Sequence, residues 1–195
     1  YALIYRAYYA MIRSPRFTSG GLNTSAIFGF CNTLDEILRK EEPDYIAVCF
    51  DPKGQTFRHE AYPEYKAQRE KQPEDITASI PYIKQILEAY RIPVIEIDGF
   101  EADDVIGTIS RRAQAEGYMT YMMTPDKDYG QLVTDRVVQY RPSLGGKGFE
   151  LRGTKEVCER YGIDSPARVV DLLALEGDAS DNVPGCCLLY TSDAA

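Results

Sequence analysis

The chain has 195 residues, 22 Lys and Arg against 30 Asp and Glu, a formal net charge of −8 at pH 7 and 44% hydrophobic residues. This is an ordinary globular composition, and no apolar run approaches the ~20 residues a bilayer-spanning helix needs, so no membrane partner is expected. The acidic balance argues at first sight against nucleic acid, whose binders usually carry a basic excess.

In chain order, Thr24 to Lys40 predicts a helix: Thr24 or Ser25 can cap it, and apolar residues recur at Ile27, Phe28, Cys31, Leu34 and Leu38. Tyr45 to Phe50 is a continuous apolar run, the pattern of a strand buried on both faces, and Asp51-Pro52 ends it. Residues 52–72 are polar and dotted with aromatics. Pro73-Glu74-Asp75 opens a helix to about Tyr90, with Pro near its start and acids in its first turn. Pro93 to Ile97 reads as a short strand, Glu101 to Glu116 as a helix ended by Gly117, and Tyr118 to Thr124 as the next strand. A short helix follows Pro125-Asp126, Val137 to Arg141 is strand-like, and 144–148 suggests a hairpin. Short helices are expected near 154–161 and 165–176. Strands alternating with helices indicate an α/β fold with a mainly parallel central sheet flanked by helices.

The five cysteines (Cys31, Cys49, Cys158, Cys186, Cys187) are odd in number and form no CxxC. That argues against a disulfide framework or a zinc site and for a reducing cytosol. Both ends look cut: Tyr1 begins in mid-pattern, and residues 186–195 follow Pro184-Gly185 with neither helical nor strand periodicity, as a non-native tail would.

In an open parallel sheet, ligands collect beyond the C-terminal ends of the strands. The expected strands deliver acids there: Asp51 after the first, Glu101, Asp103 and Asp104 after the second, Asp126 and Asp128 after the third. Asp178 and Asp181 follow the last helix. Each group also has a plain structural reading. Acids at a helix start complement its dipole, Asp126 and Asp128 can cap a turn, and Gly177 to Asn182 can be a polar loop. Together they would crowd one edge of a sheet, where like charges repel unless a cation compensates. Hard divalent ions with oxygen ligands suit such a set, and two ions would clamp the attacking and leaving oxygens of a phosphodiester. Residues 52–72 carry five Lys and Arg against three acids. Lys66 and Arg69, three apart, would share a helical face, as would Tyr62 and Tyr65, and cations among aromatics suit a single strand of nucleic acid. A solvated amphipathic loop reads equally from these residues. His59, the single histidine, reads as a surface or hydrogen-bonding residue rather than a base.

Phe50-Asp51, Phe57-Arg58-His59-Glu60, Tyr65-Lys66-Ala67-Gln68-Arg69, Gly99 to Asp104, Thr124 to Asp128 and Gly177 to Gly185 occur in that order. In order and spacing these motifs resemble the 5′-nuclease (5′-3′ exonuclease) domain of bacterial DNA polymerase I, within the flap-endonuclease family, over residues 1 to about 185. The resemblance implies a PIN-like 5′-nuclease fold with a helical arch over 52–72. It implies a catalytic domain over 1–152 and, over 153–185, the start of a helical DNA-binding subdomain whose helix-hairpin-helix region is incomplete. It implies two Mg²⁺ ions, with Mn²⁺ as a substitute, held by Asp51, Glu101, Asp103, Asp104, Asp126, Asp128, Asp178 and Asp181. Asp126, Lys66 and Arg69 would be catalytic. Arg58, Tyr65, Lys66 and Arg69 would contact DNA, with Tyr65 stacking on a base.

The implied reaction is phosphodiester hydrolysis at 5′ flaps and RNA primers paired to DNA during replication and repair. The setting would be a monomer in the bacterial cytosol, attached to polymerase domains. Two departures stand out. The family's aspartate ahead of the segment matching Tyr1–Arg6 is not in this sequence, and its K⁺-binding hairpin is expected to be lost where 186–195 stands. The alternatives are a truncated fragment that binds branched DNA without cutting, and a PIN-type RNA nuclease. The eight implied ligands equal the whole charge imbalance, so the acidity marks where metals would sit rather than excluding nucleic acid.

Overall fold

A computed structural model describes residues 1–143 and 148–186. Contacts divide them into two units, Tyr1–Asp51 with Glu70–Ile97, and Pro52–Arg69 with Asp98 onward.

In the first unit, apolar side chains at helical spacing build α1 (Ala2–Ala10), α2 (Ser25–Lys40) and α4 (Glu74–Ala89). The two longer helices match the sequence expectation closely; α1 was not anticipated. The helices bury Ile4, Phe30, Leu34, Ile76, Ile83 and Leu87 in one core with Phe50 and Ile92. Burying side chains of this size contributes roughly 1.5–3 kcal/mol each. Strand β1 (Val48–Cys49) pairs in parallel with β2 (Val94–Ile95).

The expected strand from Tyr45 to Phe50 is thus cut to two half-buried residues, and Tyr45 is 78% exposed. The reason is pairing. Among the described residues β1 is paired along one edge only, through the Val48 and Phe50 N–H groups and the Pro93 and Ile95 carbonyls, and this ladder does not reach back to Tyr45.

The second unit begins with α3 (Phe57–Ala61) and continues with α5 (Ala102–Ala115). It then holds β3 (Thr120–Met123), a 3₁₀ turn (Lys127–Leu132), β4 (Val137–Pro142) and β5 (Phe149–Arg152). Helix α6 (Thr154–Tyr161), a second 3₁₀ turn (Pro166–Arg168) and α7 (Val169–Glu176) follow. β3 pairs in parallel with β4, and β4 antiparallel with β5. A mainly parallel central sheet is therefore corrected to a parallel pair in one unit and a mixed three-stranded sheet in the other. The pairing of Pro142 with Phe149 brackets the expected 144–148 turn, most of which lies outside the described residues, as does the tail from residue 187.

The boundary expected at 152 is not where contacts divide the chain. Val157 and Val169 are buried with Met122, Tyr129, Val133 and Val137, so part of 153–185 shares a core with β3 and β4. The arch expectation also changes. Helix ends at Ala61, and residues 63–68 are turns with Lys66 at φ 57°. Pro63 disfavours the helical region for Tyr62, which is extended (φ −142°, ψ 95°). Among the described residues no helix is long and apolar enough to cross a membrane.

The contact of α1 with α2 depends on Gly29, where a Cβ would stand 2.5 Å from the Ala7 Cβ and 3.2 Å from its Cα. Replacing Gly29 with Ala should raise local helix propensity by about 1 kcal/mol yet destabilise the protein by about 1–3 kcal/mol through overpacking. Urea unfolding followed by circular dichroism measures the balance, and a more stable variant would refute the close approach.

Candidate active site

Helix α5 starts with a reciprocal cap. Glu101 and Asp104 each accept a hydrogen bond from the other's backbone N–H, which anchors two carboxylates at one end of the helix. The plain helix-start reading is therefore real, and it also fixes where these acids point. The loop at 177–183 is closed by a bridge between Asp178 and Val183, and Asp178 accepts from Ser180 through N–H (2.8 Å) and hydroxyl (2.6 Å). Gly177 allows it: at φ 71° a Cβ would lie 2.3 Å from the Gly185 nitrogen.

These elements surround a cavity of about 480 Å³ lined by Glu101, Asp103, Asp104, Asp128, Asp178 and Asp181, with Arg58 and Tyr65. Six of the eight expected metal ligands thus converge. Asp126 does not line it. It is exposed, and its carboxylate caps the 3₁₀ turn by accepting from the Asp128 N–H at 3.0 Å. Asp51 closes β1 in the other unit.

The cavity has two kinds of carboxylate. In one kind, cations from 52–69 already supply the counter-charge. Arg58 grips Asp104 with both Nη atoms (2.7 and 2.8 Å), which holds the Asp104 carboxyl below its usual range and raises Arg58. Lys66 Nζ donates to Glu101 at 2.7 Å and lies 3.9 Å from Asp181, which Arg69 also pairs.

The others include two carboxylates that accept from neutral hydroxyls and one with an orphaned oxygen. Tyr129 donates to Asp103 at 2.5 Å, and Ser180 to Asp178. Burial acts upward on Asp178, but the Ser180 bonds outweigh it and hold that carboxyl low. Asp128 Oδ1 is buried with no hydrogen-bond partner among the described residues. Burial, then the charges of Asp126 and Asp178, push Asp128 up to about 6.

An all-oxygen set with an orphaned, crowded carboxylate fits a hard divalent cation. In this arrangement no three described His, Cys, Asp or Glu residues stand close enough to share one ion.

The segment at 62–69 is strapped to the 177–183 loop. Lys66 N–H donates to the Asp181 carbonyl (2.9 Å), Tyr62 OH to the Asn182 carbonyl (3.1 Å), and Asn182 Nδ2 to the Glu64 carbonyl (2.8 Å). Arg69 Nε adds a bond to the Ser180 carbonyl (3.1 Å).

Tyr65 differs from expectation. Its ring is 7% exposed, edge-on to His59, and its hydroxyl lies 3.1 Å from Glu101 and 2.9 Å from Asp181. Both acids compete for that one proton, so the ring is drawn inward rather than presented to a base; burial and then Glu101 raise the phenol. His59 Nδ1 pairs with Thr56 at the start of α3. Sequence reasoning passed over Tyr129, Gln139 and Asn182. Gln139 is 2% exposed and donates to the Thr124 carbonyl at 3.0 Å. A polar residue inside a buried strand pattern was the available signal. Nothing local marks Tyr129.

The family pattern described as 5′-3′ exonuclease, N-terminal resolvase-like domain, matches residues 1–162. The chain belongs to that family. DNA polymerase I of Bacillus caldotenax is 39% identical over 184 residues, covering 94% of this chain and 21% of that protein. A 5′-3′ exonuclease of Aquifex aeolicus is 38% identical over 184 residues, covering 94% of this chain and 61% of its own length. The chain therefore spans about a fifth of its polymerase relative. A bacteriophage T5 flap endonuclease, in a pseudo-enzyme–product complex with DNA and metal ions, superposes with a TM-score of 0.64. It is 23% identical and covers 80% of this chain and 60% of that one, which shows a shared fold.

Replacing Tyr62 with Phe and Asn182 with Gly, which keeps the φ of 60° at residue 182, removes two of the straps. Trypsin should then cut after Lys66, Arg69 or Lys71 several-fold faster while the thermal midpoint changes little. Unchanged cleavage would mean that other contacts hold the segment.

Proposed function

We propose that this chain is the nuclease portion of a longer bacterial protein, hydrolysing phosphodiesters near the 5′ end of flaps and primers with Mg²⁺. The observation that carries the reading is one cavity where six family-matched acids meet Arg58, with Lys66 and Arg69 paired to two of those acids. Membership of the 5′-3′ exonuclease family supports it, as does the likeness to a flap endonuclease complexed with DNA and metal ions.

Asp103, Asp128 and Asp178, with the other matched acids, would hold the divalent ions; Mn²⁺ would substitute. Bound there, such an ion polarises a phosphodiester oxygen and neutralises developing charge. Arg58, Lys66 and Arg69 would exchange their present carboxylates for substrate phosphates, a swap between anions of the same fork-and-point geometry. Glu101 and Asp104 keep their helix cap during that swap, so the acid positions survive. Asp51 and Asp126 remain proposed ligands. The setting is a monomer in the bacterial cytosol, joined to polymerase domains as its relatives' names suggest.

A second reading, a branched-DNA binder that does not cut, draws on the three cations now bound to the acids and on the lack, among the described residues, of a ready three-ligand group.

A 5′-labelled flap incubated with the chain and Mg²⁺ separates the two. Cleavage that chelator abolishes supports the nuclease; retained binding without cleavage supports the binder. Asp128→Asn should lower the rate at least ~10³-fold with the fold intact. Lys66→Ala should lower it about 10²–10³-fold, the usual range for removing one charge-stabilising donor, with little change in DNA affinity. Wild-type rates in both variants would sink the assignment.

A further inference from the structure

We infer that Tyr129 is a positioning residue of this site, a neutral clamp that orients Asp103 for a divalent ion; this rests on the metal-dependent reading above. Tyr129 is 3% exposed, its ring is packed among Met122, Val133, Val137, Val157 and Val169, and its hydroxyl donates to Asp103 Oδ1 at 2.5 Å. The ring is thus fixed by the core while the hydroxyl alone reaches the carboxylates.

The choice of donor matters physically. Asp104, Glu101 and Asp181 are held by Arg58, Lys66 and Arg69, and each of those cations repels an incoming metal ion. A phenol satisfies one oxygen of Asp103 and keeps the group aimed without adding positive charge. Tyr129 also follows Asp128 directly in the turn, so one backbone segment delivers both the clamp and the orphaned Asp128 Oδ1. Lys127, in the same turn, acts on Asp128 and Asp178 at longer range and weakly opposes their crowding. Outer partners of metal ligands commonly control affinity through such orientation.

The experiment measures Mn²⁺ binding to the whole chain by the spin-resonance signal of free Mn²⁺, for wild type, Tyr129→Phe, Asp103→Asn and the double variant. Tyr129→Phe should weaken Mn²⁺ binding about 10- to 100-fold with an unchanged circular dichroism spectrum. In the Asp103→Asn background the same change should have no further effect, because its route is through Asp103. Wild-type Mn²⁺ affinity in Tyr129→Phe, or an equal loss in both backgrounds, overturns the positioning role. Asp128→Asn keeps the two failures apart. If it weakens Mn²⁺ binding while Tyr129→Phe does not, only the clamp is wrong. If it too leaves affinity unchanged, the metal reading itself fails and takes the clamp with it.

Discussion

Six carboxylates facing one cavity cannot all stay ionised unless something offsets their charge. The protein meets that constraint in three ways. Cations from the 52–69 segment cover Asp104, Glu101 and Asp181, neutral hydroxyls hold Asp103 and Asp178, and Asp128 is left with its proton affinity raised. The geometry of the second unit follows from this division. The 62–69 segment turns instead of forming a helix because its polar groups find partners on the 177–183 loop, and the Tyr65 ring is buried because its hydroxyl sits between two acids.

The same constraint links stability to function. Under the proposed nuclease reading, the basic segment that neutralises these acids also carries the cations a phosphodiester would need. One set of charges can therefore serve both states, provided that phosphate and metal displace the internal pairs together. The pairs are partly exposed, with Lys66 at 20% and Arg69 at 51% side-chain exposure, so each contributes little stability by itself. That modest strength suits an exchangeable contact. By contrast, the clamps on Asp103 and at the α5 cap are set into the core and the helix start, where exchange would cost packing.

Much of this was legible. The 3.6-residue spacing in 24–40 and the start signals at Pro73 to Asp75 located two helices to within a residue or so, because a core-facing stripe and a helix start both leave local marks in the chain. The acids of Glu101 to Asp104, Asp128 and Gly177 to Asp181 were found by their place after strands and helices, and the structure brings six of the eight into one cavity. The strands were read less well. Their length depends on which edges are paired, and pairing is a property of distant segments. The packing of 153–185 was hidden for a similar reason: Val157 and Val169 look like parts of separate short helices until they are seen against Met122 and Val137.

The sequence by itself determined the family, the longer helices and the identity of the acids and cations, since each is written in local residue type and spacing. Only the tertiary structure decided which acid each cation covers, that Tyr65 is buried, and that Tyr129 reaches Asp103 across 26 positions of chain. Those are contacts between segments far apart in sequence, chosen by burial and by the repulsion of like charges, and neither leaves a periodic mark along the chain.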